Sequence, residues 1–189
     1  MSSILLTAPA AEPVSLDEMR AFLRVEHHDD DEVIAALAAG ARLHVEAATR
    51  RALITQSWRL SFNAWPANGR IEVRPGPLRS LAAARVYDLE NVAHDVDTQA
   101  FVPDLGASAL VFAPWAVPQP GRPKAGIEID VAAGYGDAAT DVPEPLRQAI
   151  RLLTAHWYDN RGLAAIGHET AVLPQTVAAL IAPYRMLSL

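Results

Sequence analysis

Apolar residues recur at helical spacing from Ser15 to about Thr49, alternate with polar ones from Gln56 onward, and return to helical spacing after Asp141. Ser15 and Glu18 form an S-x-x-E capping box, whose hydroxyl and carboxylate satisfy orphan amides at a helix start. A first helix is predicted there, with Val14 and Met19 placed as a hydrophobic staple and Leu16, Met19 and Leu23 on one stripe. Asp29, Asp30 and Asp31 announce a second helix, because their charge complements the positive end of its dipole. Its apolar residues fall into two rows, one of Ile34, Leu37, Ala41, Val45 and Ala48, the other of Val33, Ala36, Gly40, Leu43 and Ala47. Two rows call for two neighbours. A second subunit can supply one of them, with Gly40 and the alanines admitting close approach, and a helix buried centrally in its own domain fits the periodicity equally well.

From Gln56 the period becomes two, with Trp58, Leu60 and Phe62 facing away from Arg59, Ser61 and Asn63. Further strands are predicted at 70–74, 83–87, 109–112 and 127–131, separated by turns such as Pro75-Gly76-Pro77 and Gln119-Pro120-Gly121. Pro143 and Pro145 suit the first turn of a third long helix. Leu146, Ile150, Leu153 and Trp157 mark its stripe, and Gly162 is its expected stop. Val177, Leu180, Ile181 and Tyr184 then match a short amphipathic helix that Pro183 ends or kinks.

The predicted fold class is α+β: a helical bundle with a small antiparallel β-sheet inserted and a C-terminal arm. The predicted divisions are N-terminal helices over 1–55, a β-rich insertion over 56–135, the third long helix over 136–162, and the arm over 163–189.

With 189 residues, the chain is long enough to bury a real core. It has no cysteine, which excludes disulfides and thiolate metal sites and fits assembly in a reducing cytoplasm. A net charge of -6 leaves no basic footprint for gripping nucleic acid. The opening MSSILLTAPAAEP lacks the basic n-region and full apolar stretch of a signal peptide, and no apolar run approaches the roughly 20 residues that span a bilayer.

The candidate chemistry is thin. His27 and His28 beside Asp29, Asp30 and Asp31 suggest a metal-assisted hydrolase as an alternative function, but contiguous residues converge poorly on one ion, and acids before a helix are explained as caps. Gly134-Tyr135-Gly136-Asp137 sits where a phosphate loop can occur, without the Walker or dinucleotide pattern. His156 and Asp159 have no accompanying nucleophile motif, and His168-Glu169 lacks a second histidine. Arg50, Arg51, Arg147 and Arg151 are scattered cations of the kind that are usually solvated or paired. No catalytic, cofactor or metal site is expected, and the chain is not expected to be an enzyme.

Three stretches carry a resemblance: EPVSLDEMRAFLRV with DDDEVIAALAAGARLHVEAATRRAL, AGYGDAATDVPEPLRQAIRLLTAHWYDNR, and LPQTVAALIAPYR. Together they resemble the head-tail connector, or adaptor, proteins of tailed bacteriophages and gene transfer agents. The resemblance covers about half the chain and rests on packing signatures. It implies a helical bundle with a variable β insertion, placed at the neck of a virion or phage-like particle after assembly from the host cytoplasm. About twelve copies would form a ring beneath the portal protein. That ring would extend a channel through which DNA passes without sequence-specific binding, and would offer a platform to a stopper or tail-completion protein, with no membrane involved. A stopper or tail-completion role in the same particle is the neighbouring alternative. Carried onto this chain, the resemblance makes Val33, Ala36, Gly40, Leu43 and Ala47 candidate subunit contacts. Leu173, Val177, Leu180, Ile181, Tyr184 and Arg185 become a portal-binding arm.

Overall fold

The computed structural model describes residues 2–160 and 174–186. The chain divides into a β unit, formed by residues 1–10 and 55–135, and a helical unit, formed by 11–54 and 136–189. Strand β1 (Ser2–Thr7) opens the chain, followed by helices α1 (Leu16–Leu23) and α2 (Asp31–Thr49). Strands β2 (Gln56–Phe62), β3 (Arg70–Glu72), β4 (Leu78–Tyr87), β5 (Ala93–Val96), β6 (Phe101–Asp104), β7 (Ala109–Phe112) and β8 (Ile127–Ala133) come next. Helices α3 (Glu144–Asp159) and α4 (Gln175–Ile181) complete the described strands and α-helices, among which lie four short 3-10 turns.

The β unit corrects one expectation. It is not a small sheet set into a mainly helical bundle: it holds a five-stranded antiparallel sheet ordered β1-β2-β8-β4-β5 and a three-stranded one ordered β3-β7-β6. Nor is it built only from the middle of the chain, because β1 comes from the first ten residues and pairs with β2. The alternation drives this packing. Leu60 of β2, Ile127, Ile129 and Val131 of β8, and Ala84 and Val86 of β4 share one core with Ile71, Phe101, Leu110 and Phe112 of the smaller sheet. Trp65 completes an aromatic cluster there, with its ring centroid 5.7 Å from Phe101 and 5.1 Å from Phe112.

The opposite face of the larger sheet is laced by charge. Asp130 on β8 accepts hydrogen bonds from Arg59 on β2 at 2.7 and 2.9 Å, and from Arg85 on β4 at 2.9 Å. The bond from Arg59, helped by Arg85 and opposed by burial, holds the Asp130 carboxyl below the usual carboxylate range. A depressed folded-state value means that this stabilisation is present above the unfolded value and is lost as pH falls through the folded one. Asp130→Asn is therefore expected to cost on the order of 3 kcal/mol at neutral pH. The gap to the wild type should close in thermal melts taken well into the acid range.

In the helical unit, the capping box forms as its sequence predicts: Glu18 N donates to Ser15 Oγ at 3.2 Å, and Ser15 N donates to the Glu18 carboxylate at 3.0 Å. Glu18 also accepts from Arg147 of α3 at 2.6 Å, tying α1 to α3. The Ser15 amide first and Arg147 next hold the Glu18 carboxyl below its ordinary value, against the effect of burial. Met19, Ile34, Val45, Leu146, Ile150 and Leu153 are fully buried and form the heart of this core.

Gly162, the expected stop of the third helix, lies outside the described residues, as do His168 and Glu169. No described helix is long and apolar enough to cross a membrane.

Candidate functional site

The two apolar rows of α2 have different fates. Ile34, Ala41 and Val45 are buried, with Leu37 and Ala48 half-buried, so this row is the one that meets the helical unit's own core. On the other row, Val33, Ala36, Leu43 and Ala47 are exposed, with Leu43 57% accessible. Gly40 is only half-covered. A Cβ there would meet the Trp157 ring at 3.5 Å, an ordinary contact, and the same ring sits edge-on to His44 at 6.2 Å. Trp157, expected on the core stripe of α3, thus lies over Gly40 and His44 of α2.

Polar groups around this surface are engaged. Arg42, buried in α2, donates to Glu12 and Glu46 at 2.8 Å each, and the second oxygen of Glu46 accepts from the Leu53 amide at 2.9 Å. Arg147 and Arg151 both pair with Glu144, at 2.9 and 2.5 Å. Those guanidiniums, Arg151 foremost, lower the Glu144 carboxyl below its ordinary value. Arg51 donates to the Tyr184 carbonyl at 2.6 Å, and Arg50 caps α2 in a left-handed conformation. Three of the four scattered arginines, Arg51, Arg147 and Arg151, are therefore structural clamps.

The C-terminal segment is less of an arm than its sequence suggests. Val177 and Ile181 are fully buried, because the stripe of α4 is absorbed by the helical unit itself. The Met186 amide also donates to the Thr49 carbonyl at 3.1 Å. Burial takes Val177 and Ile181 out of any surface offered to a partner in this conformation. Leu180 and Tyr184 stay half-exposed and Arg185 exposed, while Leu173 lies outside the described residues.

The histidine and aspartate cluster resolves into helix-end contacts. His28 Nδ1 lies 2.8 Å from Asp31 and 3.0 Å from Arg20, while His27 sits 3.9 Å from Asp29. Among the described residues, no three His, Asp or Glu side chains converge as metal ligands would. Gly136 is needed for close approach, since the Asp141 carboxyl, which accepts from the Ala138 amide at 3.0 Å, lies where a Cβ would stand.

Sequence reasoning missed an apolar surface on the β unit. Val102 and Val111 are paired across β6 and β7 on the outer face of the smaller sheet, both exposed, beside Trp115 at 89% accessibility. They line an open groove with Ala67, Pro114 and Asn68. The only available signal was a tryptophan in the loop Ala113-Pro114-Trp115-Ala116, outside any alternating run. A solitary aromatic is more often core.

No protein-family model and no curated protein matches the chain. Solved structures do. The chain is similar over 100% of its length, and over 97% of the matched chain, to a component of the neck of an empty gene transfer agent particle computed with C6 symmetry, at 27% identity and a TM-score of 0.82. The same coverage holds for a chain in the virion of a native gene transfer agent particle, at 28% identity and a TM-score of 0.80. It holds again for a chain in the neck of a native particle computed with C12 symmetry, at 27% and 0.78. The likeness therefore spans both units, covering the β-rich part as fully as the helices.

Proposed function

We propose that this chain is a non-enzymatic structural component of the neck of a gene transfer agent or related phage-like particle, and that within the neck it is the head-tail adaptor. The observation that carries this reading is the likeness to neck chains at full coverage of this sequence and near-full coverage of theirs. Copies assemble into a ring, for which the C12 symmetry of one similar neck gives the model. The exposed α2 row of Val33, Ala36, Leu43 and Ala47, interrupted at Gly40 by the chain's own Trp157, is the surface by which neighbouring copies meet. Small side chains there let helix backbones approach closely, and Leu43 supplies the apolar anchor.

The ring extends the DNA channel below the portal protein and receives the stopper or tail-completion protein. Leu180, Tyr184 and Arg185, with Leu173 beyond the described residues, form the portal-facing contact, while Val177 and Ile181 hold α4 in place for it. A net charge of -6 suits a wall past which DNA slides, since like charge discourages sticking.

Removing the gene from a producing cell tests this role. DNA-filled heads without attached tails are expected, and supplying the chain in trans should restore tailed particles. Normal tailed particles from the deletion strain would overturn the proposal.

A further inference from the structure

The larger sheet of the β unit ends on a strand that the chain leaves bare on both faces. β1 is an outer strand, paired on one side with β2 alone. All six of its residues are exposed, including Ile4 at 57%, Leu5 at 42% and Leu6 at 45%. Successive side chains of a strand point to opposite faces, so neither face of β1 is covered. Edge strands of free-standing proteins are normally guarded by charge, proline, a bulge or a covering helix or loop. The sequence SSILLT has no charge and no proline; its pairing with β2 shifts register between Leu5 and Thr7, which leaves Ser2 to Leu5 in regular register, and three consecutive exposed apolar residues on a surface mark a contact to be made.

We propose, building on the ring reading above, that β1 is a subunit-joining strand. In the ring its free edge adds to the β5 edge of the next copy's sheet, and that copy covers Ile4, Leu5 and Leu6. The occupant is a second copy because a cyclic ring is closed by heterologous contacts, in which two different patches of one chain meet. The larger sheet supplies two different free edges: β1, and β5 with Ala93, His94 and Asp95 exposed. Pairing β1 with β1 would instead be isologous and would close a twofold dimer. A strand of this length spans roughly 20 Å. The area it can bury falls well short of the roughly 1,000 Å² that a stable interface needs, so the edge joins copies that the α2 row and the particle already hold together.

The absence of cysteine makes the test direct. Particles are assembled with Ser3→Cys, with Ala93→Cys, or with both substitutions in one chain, then treated with a short bis-maleimide and run on denaturing gels. The double variant is expected to give a ladder of covalent multimers beyond the dimer, while each single variant stays monomeric. Dimers from Ser3→Cys alone would overturn the proposal in favour of twofold pairing. A double variant that stays monomeric in particles whose necks contain the chain would overturn it too, while leaving the ring intact. Absence of the chain from the neck would overturn both. In parallel, Ile4→Asp should melt like the wild type yet enter particles at least about a hundredfold less well, since a copy covering Ile4 would bury an unpaired carboxylate. Undiminished entry would contradict the assignment.

Discussion

A Leu43→Asp variant is expected to purify as a folded monomer with the wild-type melting temperature and to be shut out of particle necks. Leu43 is 57% exposed on α2, so in the free chain the substitution changes a solvated position and costs within about 0.5 kcal/mol. In the proposed ring the same side chain would be enclosed by a neighbouring copy, where an unpaired carboxylate costs several kcal/mol, at least about a hundredfold in association. The effect repeats at every junction around the circle, so incorporation should fall to background. Ile34→Asp on the opposite face is the contrasting control. Ile34 is fully buried, and its charge should unfold the helical unit before assembly is reached. Normal incorporation of Leu43→Asp would remove α2 from the subunit interface.

The second large effect concerns the C-terminal helix and separates its inward from its outward face. Ile181→Ala empties a fully buried site and should cost about 2–5 kcal/mol. In a unit of this size, that corresponds to a drop of about 10 °C or more in the helical unit's melting temperature. Truncation after residue 173 should cost more still, because it also removes Val177, the Arg51 bond to the Tyr184 carbonyl and the Met186 bond to Thr49. Leu180→Ala and Tyr184→Ala should melt close to the wild type, since Arg51 is held by the Tyr184 backbone and not its ring. Their loss should appear in attachment to portal-bearing heads. Thermal melts followed by pull-down on tailless heads read both halves. A truncated chain that melts like the full one would return α4 to the role of a free arm.

Much of the helical unit was legible in the chain because its signals are local. Ser15 and Glu18 lie one turn apart and cap one helix, and the stripe of Leu146, Ile150 and Leu153 recurs within a single element. The two-sided character of α2 was equally legible, since both rows occur in nineteen consecutive residues. Which row met the chain's own core was not, because that depends on where α3 lies, a tertiary fact that shows only in the burial of Ile34, Ala41 and Val45.

The β unit was read only in part, for physical reasons that differ from strand to strand. β1 shows no alternation, because neither of its faces is buried by its own chain. β5, of sequence AHDV, buries one residue of four, and β6, of sequence FVPD, carries Pro103. That proline is tolerated because β6 is an edge strand of the smaller sheet, where a missing amide donor can face away from the ladder. In α4 the spacing of Val177 and Ile181 announced an apolar stripe correctly. Whether such a stripe meets its own unit or a partner is not encoded in its period, and here it meets its own unit.

Electron cryo-microscopy of necks from particles carrying this chain tests the central claim most directly. The expected result is a closed ring of copies directly beneath the portal, twelvefold like the similar neck computed with C12 symmetry, with Val33, Ala36, Leu43 and Ala47 of each copy covered by its neighbour. Necks without density for this chain, or a ring in which the α2 row faces solvent, would contradict it.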